Sequence, residues 1–128
     1  MIVLLDSSAW IEVFLDTNRS KLFESIFYDG NELIVPTIVI YEVQRVMLRT
    51  ILKSEADVQW LRMVSNTVVD LSADLASSAA SVAIRHKLAM ADAIIYATAQ
   101  QFDAELWTQD AHFKELSGVN YFEKIVSE

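Results

Sequence analysis

The stretch Ile2-Val3-Leu4-Leu5-Asp6-Ser7-Ser8 contains the strongest indication of the fold. Four consecutive apolar residues make both faces of a strand apolar, which is typical of a central strand in a parallel sheet. The strand ends at Asp6, and we expect Ser7 and Ser8 to cap a helix that starts near Ala9. A strand that leads directly into a helix is the first half of a β-α-β unit, so these residues indicate an α/β domain.

The same alternation continues along the whole chain. Short apolar segments separated by segments of helical periodicity predict a three-layer α/β fold, in which helices flank a mainly parallel sheet of about five strands. The predicted strands are residues 2–5, 33–35, 68–69, 106–108 and 119–122, the last of them at an edge. The predicted helices after the first are residues 20–29, 37–53 (with Thr37 as N-cap), 55–65, 73–85 and 90–102.

Composition restricts the class of protein further. The 128 residues suit one domain over residues 1–128, and a hydrophobic content of 53% excludes a disordered chain. No apolar stretch reaches the roughly 18 residues of a membrane span, and residues 1–6 lack the pattern of a signal peptide. The absence of cysteine fits a reducing compartment, so we expect a cytoplasmic protein without membrane contact. The net charge of −8, taken alone, argues against a nucleic-acid-binding surface.

Four acids occupy strand ends or apolar helices: Asp6, Glu42, Asp92 and Asp110. Asp92 is the most informative, because it is the sole charge between Lys87 and Asp103 in a helix that is apolar nearly all round. A buried carboxylate needs a partner, a cation or a proton, and no lysine or arginine lies one turn away on the same helix. We therefore favour a metal or catalytic role for Asp92 over a long-range salt bridge. Each of the other three acids, taken alone, is also explained as a cap or a helix N-terminal charge.

The predicted topology brings the four acids to one edge of the sheet. The carboxyl ends of the strands before Asp6 and Asp110 face the same edge as the N-termini of the helices that carry Glu42 and Asp92. Converging carboxylates repel one another, and their pKa values rise unless a cation joins them. Oxygen ligands without cysteine or a histidine pair favour Mg²⁺ or Mn²⁺ over Zn²⁺. Such ions activate water and stabilise in-line displacement at a phosphodiester.

With these four acids in this order, the chain resembles a PIN domain, and within that family the VapC-like toxins. The resemblance covers residues 2–122, and it rests on four loose motifs that occur in the family's order. These motifs are the opening strand with Asp6-Ser7-Ser8, the Glu42 helix after a strand closed by Pro36, the segment Ala91-Asp92-Ala93-Ile94-Ile95-Tyr96-Ala97-Thr98-Ala99, and Thr108-Gln109-Asp110-Ala111-His112-Phe113.

The resemblance implies an Mg²⁺- or Mn²⁺-dependent endoribonuclease, the toxin of a type II toxin–antitoxin pair. It also implies a homodimer and an inhibiting antitoxin protein as a partner. Metal ligation and catalysis would fall to the acids that match the family's motifs, namely Asp6, Glu42, Asp92 and Asp110. Ser7, Ser8 and Thr108 match small hydroxyl residues of the family, and we interpret them as groups that orient the carboxylates and waters.

An acidic protein needs local positive charge to hold RNA. Glu42, Arg45, Arg49 and Lys53 recur at helical spacing, so a continuous helix would place the three bases on one stripe leading away from the acids. Arg85 and Lys87, just before the Asp92 helix, are a second candidate contact. The two histidines, His86 and His112, lie far apart in sequence and form no recognisable ligand pair, so we expect neither to bind metal.

Three other functions remain open from the sequence. A receiver-like phosphoacceptor domain also binds Mg²⁺ beside strand-end acids, but it needs a second acid next to Asp6 and a lysine after a late strand. A non-catalytic metal-binding interaction module on the same fold would have no need of all four acids. A PIN-type RNA-processing nuclease shares the chemistry and differs only in biological role.

Overall fold

The fold alternates strands and helices as expected. The computed structural model describes residues 1–17 and 19–124. Its strands are β1 (Ile2–Leu5), β2 (Glu32–Pro36), β3 (Thr67–Val69), β4 (Glu105–Thr108) and β5 (Val119–Tyr121). Its α-helices are α1 (Ser7–Phe14), α2 (Ser20–Glu24), α3 (Thr37–Thr50), α4 (Lys53–Val64), α5 (Ala73–His86) and α6 (Met90–Gln101). Two single 3₁₀ turns span Ser25–Tyr28 and Ala111–Phe113.

The five strands form one sheet in the order β3-β2-β1-β4-β5, and every pairing is parallel. This arrangement confirms the predicted α/β class, the strand count and the edge position of residues 119–121. The order also differs from the 2-1-3-4-5 order of receiver-like domains. Because all strands run the same way, their carboxyl ends share one edge, where loops and helix N-termini collect.

The burial of β1 agrees with its position in the middle of the sheet. Val3, Leu4 and Leu5 are fully buried, since helices cover both faces of the sheet. Burying side chains of this size contributes about 1.5–3 kcal/mol each. Helix α6 is nearly as enclosed, because all of residues 93–99 are buried. Its one carboxylate, Asp92, is therefore held at the end of an apolar helix.

The structure corrects several local predictions. Asp6, rather than Ser7 or Ser8, is the N-cap of α1, and it accepts the N–H of Ala9. Helix α3 starts directly after Pro36, so Thr37 is its first residue and not its cap. The helical segment predicted for residues 20–29 divides into α2 and the first 3₁₀ turn.

The predicted C-terminal boundary of the helix at residues 37–53 is also wrong. Helix α3 stops at Thr50, because Ile51 and Leu52 adopt extended backbone, and Lys53 is the first residue of α4.

Among the residues that the structure describes, no helix has the length and apolar character to cross a membrane.

Candidate functional site

Asp6 ends the central strand and is almost completely enclosed. Its Oδ1 accepts hydrogen bonds from Ser8 Oγ at 2.7 Å and from the N–H of Ala9 at 3.0 Å. Its Oδ2 accepts a hydrogen bond from Thr108 Oγ1. Burial raises the pKa of Asp6 to about 6, although these hydrogen bonds oppose the rise. The carboxylate is therefore fixed in place and is costly to ionise without a cation nearby.

The register of the sheet produces the contact between Asp6 and Thr108. Leu5 of β1 pairs with Trp107 of β4, so the next residue of each strand emerges at the same level. The Thr108 hydroxyl also accepts the backbone N–H of Asp110 at 2.8 Å. One buried side chain thus joins two of the predicted acids, which are far apart in the sequence.

Glu42 reaches the site from α3. It is the sixth residue of that helix, and its Oε1 accepts a hydrogen bond from Ser7 Oγ at 2.5 Å. The bond connects α1 with α3, two helices that also pack against each other. All three predicted hydroxyl residues therefore contact a predicted acid, since Ser7 bonds Glu42 while Ser8 and Thr108 bond Asp6.

Asp92 and Asp110 converge on the side chain of His112. His112 Nδ1 lies 2.8 Å from Asp110 Oδ1 and 3.6 Å from Asp92 Oδ2. Together these three residues offer one ligand atom each, all within 4.8 Å of one another. The side chain of His112 is 76% exposed, whereas those of Asp92 and Asp110 are 21% and 29% exposed. The group is open to solvent on the histidine side.

The pKa of Asp92 is raised by burial and by the charges of the other three predicted acids. It rises to about 6, first because of burial and then because of the negative charge of Asp110. Glu42 and Asp6 raise it further, and His112 opposes the rise. Within the described residues, no lysine or arginine forms an ion pair with Asp92. The acids thus share one region of strongly negative potential, and their functional roles stay a prediction.

Sequence reasoning set His112 aside, and the structure places it among the acids. Asp110 caps the turn Ala111–Phe113 and accepts the backbone N–H of His112 at 2.9 Å, which brings the imidazole back over the carboxylate. The indication available from the sequence was local: a histidine two residues after a strand-end aspartate. A search for two histidines at ligand spacing could not find it.

The bases predicted to contact RNA divide into separate groups. Arg45 and Arg49 are exposed on α3, the helix that carries Glu42. Lys53 lies on α4 instead, where it pairs with Asp57 at 3.1 Å, so the predicted three-base stripe is wrong.

Arg85 and Lys87 are exposed at the end of α5 and precede the helix that carries Asp92. Lys87 adopts a left-handed conformation (φ 54°), which glycine usually occupies and which costs a lysine about 1 kcal/mol.

Replacing Thr108 by valine tests whether its hydroxyl stabilises Asp6. We expect the free energy of unfolding at pH 7.5 to fall by about 1–3 kcal/mol, because a buried carboxylate oxygen and the N–H of Asp110 both lose a partner. Thr98→Val is the matched control, since Thr98 is equally buried but donates only to the carbonyl of Ile94 within its own helix. Equal effects of the two substitutions in urea unfolding would contradict the assigned contribution of Thr108.

The donor set suits a divalent cation. Ligand atoms bound to one ion at about 2.1 Å lie roughly 3–4 Å apart, which is close to the distances of His112 Nδ1 from the Asp92 and Asp110 oxygens. Carboxylates with raised pKa values are the groups that a cation would relieve. Asp6 and Glu42 add negative charge beside the group, and hydroxyl donors hold both of them in place.

The strand order and an acidic cluster at the carboxyl edge together define an α/β protein with a site suited to a hard cation. The chain matches the PIN domain family over residues 3–119. It therefore belongs to the PIN domain family, and membership removes the receiver-like alternative. A comparison with curated proteins finds no match.

Solved structures share the fold at low sequence identity. A toxin–antitoxin complex from Klebsiella pneumoniae has a TM-score of 0.80 at 23% identity, covering 92% of this chain and 95% of that chain. VapC20 of Mycobacterium tuberculosis, described as a sarcin–ricin loop cleaving toxin, has a TM-score of 0.77 at 18% identity, covering 91% and 95%. VapBC2 from Rickettsia felis, bound to promoter DNA, has a TM-score of 0.74 at 16% identity, covering 95% and 98%.

Proposed function

We propose that this chain is a cytoplasmic metal-dependent endoribonuclease that acts as the VapC-like toxin of a toxin–antitoxin pair. The observation that carries the proposal is the convergence of Asp92 and Asp110, with Asp6 and Glu42 beside them, at the carboxyl edge of a PIN-domain sheet. The clustered negative charge favours a divalent cation, and a divalent cation at a strand edge is a common device for phosphodiester hydrolysis.

Each residue of the site has a defined task in this proposal. Asp6, Glu42, Asp92 and Asp110 would hold Mg²⁺ or Mn²⁺. When bound, the ion supplies a Lewis acid that lowers the pKa of a water and offsets the charge developing on the phosphate. Ser7, Ser8 and Thr108 keep the carboxylates of Asp6 and Glu42 pointed in fixed directions, so little reorganisation is needed when substrate arrives.

The acids also control when RNA can approach. At neutral pH the ionised cluster repels a phosphodiester, and the whole chain carries a net charge of −8. A reduction of this negative charge, either by a divalent cation at the cluster or by replacement of one carboxylate, therefore has to precede RNA binding. The remaining attraction must be local, and the candidate contacts are the exposed bases Arg45 and Arg49 on α3 and Arg85 and Lys87 at the end of α5.

Replacing Arg45 or Arg49 by alanine should weaken RNA binding and flatten its salt dependence. The slope of log K against log salt should become less steep by roughly 0.7 for each phosphate contact that is lost. Binding is measured by fluorescence anisotropy in an Asp92→Asn background, which prevents cleavage during the titration. Lys21→Ala, which removes one positive charge from the exposed side of α2, is the control and should keep the original slope. An unchanged slope in both arginine variants removes them from the interface.

The toxin role rests on whole-chain similarity. The three solved relatives are a toxin–antitoxin complex, a VapBC complex and a VapC toxin, and each covers more than nine tenths of this chain. A processing nuclease of the same family would have the same acids. Growth arrest on expression, relieved by co-expression of the protein encoded beside it, supports a toxin; normal growth with cleavage of one precursor RNA supports the processing role.

A homodimer and an antitoxin are the protein partners in this proposal. Large apolar side chains on α3, on α4 and in the connection between them are exposed to solvent, as expected for a protein that buries surface against partners. They are Tyr41, Leu48, Leu52, Val58, Trp60 and Leu61. Light scattering distinguishes a particle near the 14.5 kDa chain mass from one near twice that mass.

The nuclease assignment is tested with purified protein and total RNA. We expect cleavage with Mg²⁺ or Mn²⁺, and no cleavage with EDTA. We also expect the metal to raise the melting temperature, since a ligand at 100 times its Kd stabilises the folded state by about 2.7 kcal/mol. Folded protein that neither cleaves RNA nor gains stability with metal contradicts the proposal. Stabilisation without cleavage supports the metal site and indicates a narrower substrate.

A further inference from the structure

His112 gives the acidic cluster a nitrogen donor that carboxylates alone would not supply. Its Nδ1 is the atom that faces the acids, 2.8 Å from Asp110 Oδ1 and 3.6 Å from Asp92 Oδ2. These separations resemble those between neighbouring ligands of one six-coordinate ion, roughly 3 Å for bonds of about 2.1 Å. A single cation can therefore contact all three atoms after small movements of an exposed side chain.

The turn that carries His112 is firmly anchored to the helix that carries Asp92. Phe113, the next residue, is completely buried, and its ring lies 6.5 Å from that of Tyr96 on α6. The backbone N–H of His112 is bonded to Asp110, which fixes the start of the turn. The imidazole is thus held by the fold on the same side of the site as both carboxylates.

We propose that His112 is a metal ligand through Nδ1 and that it makes the site prefer Mn²⁺ over Mg²⁺. The inference rests on the proposed metal-dependent function and specifies its ion. Mg²⁺ is a hard ion that takes oxygen ligands and keeps its waters. Imidazole suits first-row transition ions, and Mn²⁺ is the member of that series that also suits carboxylate oxygens. A site that adds one imidazole to its carboxylates therefore matches Mn²⁺ better than an all-oxygen site does.

The test measures metal binding by the full chain and not its activity. Mn²⁺ affinity is followed by the loss of the free-ion signal in electron paramagnetic resonance, and Mg²⁺ affinity by thermal shift. We expect His112→Asn to weaken Mn²⁺ binding by about tenfold or more while changing Mg²⁺ binding much less. We expect His112→Asp, which replaces nitrogen by oxygen, to bind Mg²⁺ at least as tightly as the wild-type protein and to lose the preference for Mn²⁺.

A second, spectroscopic experiment tests directly whether His112 binds Mn²⁺. Pulsed electron paramagnetic resonance should detect ¹⁴N coupling to Mn²⁺ in the wild-type protein, and His112→Asn should abolish it. His86→Asn is the matched control, because His86 packs edge-on against the ring of Tyr96 and lies outside the cluster. This variant should keep both the ¹⁴N coupling and the ion preference.

The outcomes separate this inference from the proposed function. Mn²⁺ bound without ¹⁴N coupling, or with equal losses of Mn²⁺ and Mg²⁺ affinity in His112→Asn, overturns the role of His112 and leaves a metal-dependent nuclease intact. Tighter metal binding in His112→Asn also overturns it, because the imidazole would then be acting as a competing cation. Wild-type protein that binds neither ion overturns the inference and the proposed function together.

Discussion

Asp92→Asn should abolish RNA cleavage while making the metal-free protein more stable. We expect activity to fall by at least about a hundredfold, because loss of a group that merely supports a metal ligand already costs 10–100-fold. Asparagine keeps the size of the side chain but lacks the negative charge that a cation requires. Asp92 is also the acid on which the charges of Asp6, Glu42 and Asp110 all act, so its removal weakens the cluster as a whole.

The gain in stability follows from the raised pKa of Asp92. In the unfolded chain this carboxyl group ionises at its ordinary pKa of 3.8, whereas in the folded protein its pKa is about 6. At neutral pH the folded state therefore pays up to about 3 kcal/mol to hold the charge. Asparagine removes that cost but also loses a favourable charge in the first turn of α6, so we expect a net gain of about 1–2 kcal/mol.

The measurement combines an RNA cleavage assay with urea unfolding in EDTA. Asp103→Asn is the matched control, since it removes the same charge just beyond the other end of α6, about 16 Å away along the helix axis. Asp103 has a left-handed backbone conformation (φ 50°), which asparagine also adopts readily. Full activity in Asp92→Asn, or a clear loss of metal-free stability, would show that Asp92 is an ordinary structural residue.

The metal-free protein should become less stable as the pH rises from about 5 to 7.5. Asp6 and Asp92 both have pKa values raised to about 6, so the folded state retains protons that the unfolded chain has already released. Stability from a raised carboxyl pKa is complete below the unfolded value of 3.8 and is lost as the pH rises through the folded value. Between pH 5.2 and 7.5 we expect a loss of roughly 1 kcal/mol for each of the two groups.

Thermal or urea unfolding in EDTA across this pH range measures the effect. Asp92→Asn should lose about half of the pH dependence, and Asp103→Asn should retain all of it. Saturating Mn²⁺ should reverse the trend, because protons compete with the ion for the carboxylates and the ion binds more tightly as the pH rises. Stability that is flat in EDTA, or that increases steadily with pH, would contradict the raised pKa values.

Much of the fold and the composition of the site were predictable from local sequence. The apolar run before Asp6 identified a central parallel strand, because a strand covered on both faces has no polar alternation. Asp92 was recognisable as a candidate site residue because a lone carboxylate in an apolar helix is costly to bury without a partner, a cation or a proton. Parallel topology then placed the four acids at one edge, since every strand of such a sheet ends on the same side.

Other features depended on where separate segments meet. The register Leu5 to Trp107 sets Thr108 beside Asp6, and no local pattern encodes a register between segments a hundred residues apart. The extended backbone after Thr50 moved Lys53 away from the arginines of α3, a boundary shift that periodicity could not resolve. His112 joined the acids only through a tight turn capped by Asp110.

The sequence therefore determines which charged groups are candidates for the site, because a charge that interrupts an apolar strand or helix is a local pattern. The distances among those groups belong to the tertiary structure, because they arise from strand pairing, helix ends and one capped turn. The proposed preference for Mn²⁺ depends on those distances, because the tertiary structure alone brings His112 to the acids.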